Sequence, residues 1–176
     1  MIPEYELAHG LVVTEFATSG VVSDSAFATA SAFAAKMAAD DMFTHFRHTH
    51  VSDMLDPRRW RVWLVLDPAL YPTHVCVGWG QAQLGFGHKS HVARLGIAVL
   101  PEYRGKGIGT FLVAKLLDEI KDREKFVATV FADNPASLAV FKKCGFTTEG
   151  TFVDEERWPD RGSRAVISLA KWKETA

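Results

Sequence analysis

The chain has 176 residues, 48% hydrophobic and 23% charged, which suits one domain with a buried core, expected to span residues 1–176. A formal net charge of −1 argues against sequence-blind binding to nucleic acid or to an anionic membrane, because both need a basic surplus. Two cysteines, Cys76 and Cys144, are too few for a disulfide framework and fit a reduced, cytoplasmic protein; no apolar run approaches the ~20 residues of a membrane helix, and no secretory leader is recognised at the N-terminus.

Gly10 to Thr18 (GLVVTEFAT) is rich in β-formers between turn residues and predicts a first strand. Ser23 to Ser25 offers N-cap oxygens to an alanine-rich segment running from Ala26 to about His48. Within it, Phe27, Ala30, Phe33, Ala34 and Met37 recur at helical spacing, so one face should pack on a sheet. Asp40 and Asp41 mark a break, followed by a short second helix near Met42 to Arg47, and Asp56-Pro57 marks a loop. Trp60 to Leu66 and His74 to Leu84 read as a long hairpin. Gly85 to Ser90 then turns the chain into the strand His91 to Leu100.

The stretch Leu95 to Leu112 (LGIAVLPEYRGKGIGTFL) joins that strand to an amphipathic helix through Pro101 and three alternate glycines. Gly105, Gly107 and Gly109 leave the backbone open to a charged ligand. The unpaired amides of a first helical turn, at the positive end of its dipole, suit a phosphate or pyrophosphate. Arg104 and Lys106 add positive charge there. The helix presents Ile108, Phe111, Leu112, Leu116 and Ile120 on one face, with Lys115, Asp118 and Lys121 mostly opposite. After the charged run Lys121 to Lys125 come a short apolar strand, Phe126 to Phe131, and a helix, Pro135 to Lys143, with Gly145 as its stop. Two strands from Phe146 onward, joined around Trp158 to Gly162, complete an α+β layer structure with a mixed sheet.

The glycine loop is neither a P-loop, which needs GxxxxGK[ST], nor a Rossmann turn, which needs GxGxxG directly after its strand. Arg104-x-x-Gly107-x-Gly109, after Val99-Leu100-Pro101, instead resembles the acyl-CoA pyrophosphate loop of the GNAT superfamily of N-acetyltransferases. Asn134 to Phe146 (NPASLAVFKKCGF) is similar to that family's Asn-x-x-Ala…Tyr-x-x-x-Gly-Phe segment. The order of elements also looks like GNAT topology, a mixed, largely antiparallel central sheet flanked by helices. The resemblance implies a transferase that binds acetyl-CoA as cosubstrate, needs no metal, and moves acetyl to an amine of a small molecule or protein N-terminus by direct attack. It also implies that Arg104, Gly105, Lys106, Gly107, Ile108, Gly109 and Thr110 clamp pyrophosphate, and that pantetheine pairs with backbone at Ile97, Ala98 and Val99. Asn134, Ser137, Phe141 and Lys143 would meet the cofactor from the next helix, although Asn134 also reads as a plain N-cap. Dimers are common in the family, so a homodimer is allowed.

Two departures touch the chemistry. Phe141 stands where the family commonly has Tyr, whose hydroxyl can protonate the leaving thiolate. That leaves a non-catalytic acyl-CoA-binding or sensing module as the alternative. Counting back from Arg104, one position where the family often has a base-feeding carboxylate falls on His91, and another on Ala93. Imidazole suits general-base work, so His91 is the catalytic candidate, against a plain turn residue. His45 and His48, with Asp40 and Asp41, fall where the family walls its acceptor pocket; no metal-ligand pattern accompanies them. Glu149, Asp154, Glu155 and Glu156 form an acidic rim in the late hairpin that would attract a cationic amine, or are solvated charge. Trp60, Trp63, Trp79 and Trp158 read as core or strand-face aromatics.

Overall fold

In a computed structural model, the structure describes residues 5–7, 10–16, 23–38, 51–70, 75–158 and 162–173. Its strands are β1 (Tyr5–Leu7), β2 (Leu11–Phe16), β3 (Trp60–Asp67), β4 (Val75–Leu84), β5 (Val92–Val99), β6 (Lys125–Phe131), β7 (Thr147–Trp158) and β8 (Gly162–Trp172). They form one sheet in the order β1-β2-β3-β4-β5-β6-β8-β7. Every neighbouring pair is antiparallel except β5 and β6, which need a crossover. The α+β, largely antiparallel sheet expected from the sequence is present, with one strand more than the hydrophobic pattern predicts. β1 is three residues long, too short for alternation to reveal.

Three helices cover the sheet: α1 (Asp24–Ala38), α2 (Ile108–Glu119) and α3 (Pro135–Lys143). Ser23 begins α1 as expected, its Oγ accepting from the Ala26 N–H at 3.3 Å. Ala30, Phe33 and Met37 are buried, and Phe33 stacks on Trp79 at 6.0 Å between ring centroids. Burying a Phe or Met side chain is worth about 1.5–3 kcal/mol, which holds α1 on this face. Phe27 departs from the predicted stripe and is exposed, because it lies one turn before the helix reaches Trp79. The short helix expected near Met42 to Arg47 lies outside the described residues, as do Asp40, Asp41, His45, His48 and His50.

The opposite face carries α2 and α3. Alternation along β4 puts Trp79 under α1, and Gly78 and Gly80 under α2. A Cβ on Gly78 would stand 2.9 Å from Ile108 Cγ2, and one on Gly80 3.1 Å from Leu112 Cδ2. Glycine therefore lets α2 settle close to the sheet, with Leu112, Val113 and Leu116 fully buried. Lys115, expected to face solvent, lies over the Trp63 ring at 4.5 Å and pairs with Glu119 at 2.9 Å; its stem covers apolar surface while its charge finds a partner. Trp63 and Trp79 are core residues, as read from the sequence.

Candidate functional site

The parallel ladder between β5 and β6 stops early. Its register runs from Val92 opposite Lys125 to Leu95 opposite Ala128, while β6 continues beside β8 to Phe131. Past Leu95 the two strands separate. The ladder with β4 fixes which way the backbone points in this gap. Leu100 N–H donates to Val77 O and Gly85 N–H donates to Val92 O, so even-numbered residues of β5 bond to β4. Those of Ile97 and Val99 therefore aim into the gap. Val99 O is met by the Nε of Arg104 at 3.0 Å, which leaves the Ile97 amide and carbonyl and the Val99 N–H on the open edge.

A 3-10 turn, Pro101–Tyr103, leads from this edge into the glycine loop. Gly105 and Gly107 both have left-handed backbone, with φ of +79° and +81°. Gly107 is the N-cap of α2, and no side chain caps that helix start. The first-turn amides of Ile108, Gly109 and Thr110 thus have no capping side chain at the positive end of the dipole, and all three residues line the cavity described below. Tyr103 braces the loop: its hydroxyl donates to Asp67 Oδ2 at 2.6 Å, a contact that raises the phenol's pKa, with burial adding to the effect.

On the far side of the gap, Asn134 Oδ1 caps α3 by accepting from Ser137 N–H at 3.0 Å. The N-cap reading of Asn134 therefore holds, and its Nδ2 donors are what it has left to offer a ligand. Phe141 is buried and packs edge-on against Phe146 at 5.1 Å.

One cavity of about 820 Å³ connects these parts. Its walls include Ile97, Ala98 and Val99 on β5, Arg104, Gly105, Gly107, Ile108, Gly109 and Thr110 around the loop, and Asn134, Ser137, Phe141 and Lys143 on α3. The structure thus brings together most of the residues singled out from the sequence. Lys106 is apart, its Nζ lying over the Tyr103 ring at 4.6 Å. His91 is also outside the cavity, whose wall on β5 begins at Arg94, roughly 10 Å further along the strand. The His91 carbonyl accepts from the amides of Glu124 and Lys125 and so ties the strand start to β6.

The cavity passes through the sheet. On the α1 face it is walled by Met37, Arg94, Thr129, Phe131, Val166 and Glu155. Sequence reasoning missed Arg94 and Thr129, because nothing in a strand sequence says where its neighbour will part from it. Of the acidic rim, Glu155 reaches the cavity, whereas Glu149 pairs with Lys125 at 2.5 Å and Asp154 accepts from Ser163 Oγ. The side chain of Glu156 lies outside the description. Among the described residues, no group of three His, Cys, Asp or Glu is placed to hold a metal ion, and no helix is long and apolar enough to cross a membrane.

A split sheet with a glycine loop at one end of the gap and an uncapped helix above it offers open backbone edge and unpaired amides, an arrangement that suits an extended, phosphate-bearing ligand. The sequence profile of the acetyltransferase (GNAT) family matches residues 33–146, and the chain belongs to that family. It is 32% identical over 76 residues to a spermidine N(1)-acetyltransferase of Vibrio cholerae, covering 42% of this chain and 43% of that protein. It is 33% identical over 66 residues to an L-amino acid N-acetyltransferase of Escherichia coli, covering 36% of this chain and 41% of that protein. The matches span about two fifths of these curated relatives. An acetyltransferase structure from Salmonella typhimurium, determined with acetyl-CoA, shares the fold: TM-score 0.71, 18% identity, 93% of this chain and 96% of that one.

Proposed function

We propose that the protein is an acetyl-CoA-dependent N-acetyltransferase that carries acetyl to an amine by direct attack. The observation that carries this reading is the parting of β5 from β6 past Leu95, which opens backbone edge beside the glycine loop. Pyrophosphate belongs on the amides of Ile108, Gly109 and Thr110, with Arg104 and Lys143 supplying positive charge at the same end of the cavity. The amides of the pantetheine arm pair with the open backbone at Ile97 and Val99. This directs the thioester through the gap toward the α1 face. A backbone N–H near the thioester carbonyl stabilises the charge that develops on its oxygen, usually the largest electrostatic contribution in acyl transfer.

In the reaction a neutral amine attacks the thioester carbonyl carbon, a C–N bond forms and the C–S bond breaks. The electron pair leaves on sulfur, and the amine's proton ends on solvent or on the thiolate. Phe141 donates no proton to that thiolate. A thiol's reference pKa of about 8.5 nevertheless makes thiolate an acceptable leaving group near neutrality. Phe141 also favours the second reading, a protein that binds acyl-CoA without transferring it.

A thermal-shift series with acetyl-CoA, CoA, ATP and NAD, on wild type and Gly107→Trp, tests the cofactor. A ligand that binds the native state raises the melting temperature according to its excess over Kd. A rise with acetyl-CoA that is absent with ATP and NAD and lost in Gly107→Trp supports the proposal; no rise with either CoA species refutes it. Amine-dependent release of free thiol then separates the transferase from the binding module.

A further inference from the structure

The α1-face end of the cavity carries chemistry that the proposed transfer does not itself require. Its walls there are mostly apolar, with Met37, Phe131 and Val166 all buried, and two charged side chains of opposite sign border it. Arg94 projects from the paired end of the β5–β6 ladder, and its exposed guanidinium donates to Thr129 Oγ1 at 3.0 Å, beside the point where the strands part. Among the described residues it meets this hydroxyl and no carboxylate. Glu155 is the one carboxylate among the described cavity-lining residues.

Glu155 reaches the cavity because β7 breaks its own alternation. Phe152 pairs with Val166 and Glu156 with Arg164, so residues 153–155 bulge out opposite Ala165. Counting by twos from Phe152, Asp154 would face the Val166 side and Glu155 would face away. Asp154, however, has left-handed backbone at φ +56°, the one described non-glycine residue with positive φ. Its carboxylate turns outward to Ser163 Oγ, and Glu155 takes the inward place. The two remaining cations of the cavity wall, Arg104 and Lys143, sit at its glycine-loop end.

We propose that the acceptor is an α-amino acid with an apolar side chain, its carboxylate held by Arg94 and its ammonium by Glu155. This rests on the transferase reading above and names its substrate class. An arginine oriented by a hydroxyl presents its remaining N–H donors to an oxyanion. A lone carboxylate across an apolar pocket matches a single cation. A polyamine, which carries no anion, would place positive charge against Arg94.

The test is titration calorimetry on the CoA-saturated protein with leucine and phenylalanine, against isoamylamine, phenethylamine and spermidine. The amino acids are expected to bind at least about tenfold more tightly than their decarboxylated counterparts, as a lost charge-assisted hydrogen bond predicts. Arg94→Gln should weaken amino-acid binding roughly 10- to 100-fold and leave amine binding no weaker. Glu155→Gln should weaken both sets. Equal or tighter binding of the amines or spermidine, failure of both amino acids to bind, or an equal loss for both sets in Arg94→Gln would overturn the assignment. Amino-acid binding without thiol release from acetyl-CoA would sink the transferase reading and leave the recognition site standing.

Discussion

At Gly107 the backbone turns left-handed, and nothing lies within 4 Å of where a Cβ would stand. Gly109, two residues later, is in the helix, where a Cβ would stand 3.2 Å from Ile97 Cδ1 and 3.5 Å from Val140 Cγ2. The first glycine answers to conformation and the second to packing. Gly107→Ala should therefore cost about 1–2 kcal/mol of stability, the penalty for an L-residue in that region. Gly109→Ala should be close to neutral, because the end of the Ile97 side chain can shift and alanine favours the helix by up to about 1 kcal/mol. Urea denaturation of both variants without ligand checks this, and a Gly107→Ala protein as stable as wild type would show the account of the loop to be wrong. Phe141 offers a second prediction at this scale. It lines the cavity and, by the resemblance drawn from the sequence, stands where the family commonly has Tyr; on the proposed reading Phe141→Tyr adds a hydroxyl beside the leaving thiolate. General-acid assistance is worth about 10²–10⁴-fold where it operates. Phe141→Tyr should raise kcat for acetyl transfer with no change in acetyl-CoA affinity. An unchanged kcat would mean that thiolate departure does not limit the rate.

Along β5, alternate residues have different hydrogen-bonding neighbours, and amide exchange can read the difference. Gly96 and Ala98 bond to β4, whereas the Ile97 and Val99 amides face the gap beyond the β6 ladder. In the free protein Ile97 and Val99 should exchange well before Gly96, Ala98 and Leu100, and acetyl-CoA should slow them selectively. Uniform protection of all five would mean that the gap closes in solution. Much at this scale was legible in the sequence, because strands and helices declare themselves through apolar periodicity and Gly105, Gly107 and Gly109 mark the loop. The free backbone beside that loop was legible only through family likeness, as pantetheine pairing at Ile97, Ala98 and Val99, and not through any residue pattern. His91 shows what such counting leaves open. Position relative to Arg104 finds a place on the strand, but how far the cavity extends toward that place depends on where β6 leaves β5. Glu155 was legible only as one of several acids, since the reversal at Asp154 depends on pairing with β8.

The sheet divides the molecule into two working faces. The glycine loop, Asn134 and Phe141 lie with α2 and α3 on one side; Arg94, Thr129 and Glu155 lie with α1 and the β7–β8 hairpin on the other. They communicate through the gap between β5 and β6. On the proposed reading, such a partition should let acetyl-CoA and the acceptor be disturbed separately. Thr129 faces the α1 side, half-buried, with Arg94 bonded to its hydroxyl. Thr129→Phe would fill the passage on that side and release Arg94, without touching the loop or α3. Displacing an acceptor by about 1 Å is enough to cost roughly 100-fold in rate. Thr129→Phe should therefore keep the thermal shift given by acetyl-CoA while kcat/KM for the acceptor falls by about that factor. Gly107→Trp, at the other face, should abolish the shift itself. If Thr129→Phe removed the acetyl-CoA shift as well, the thioester would have to lie deeper on the α1 side than the backbone at Ile97 and Val99 implies, and the acceptor would enter by another route.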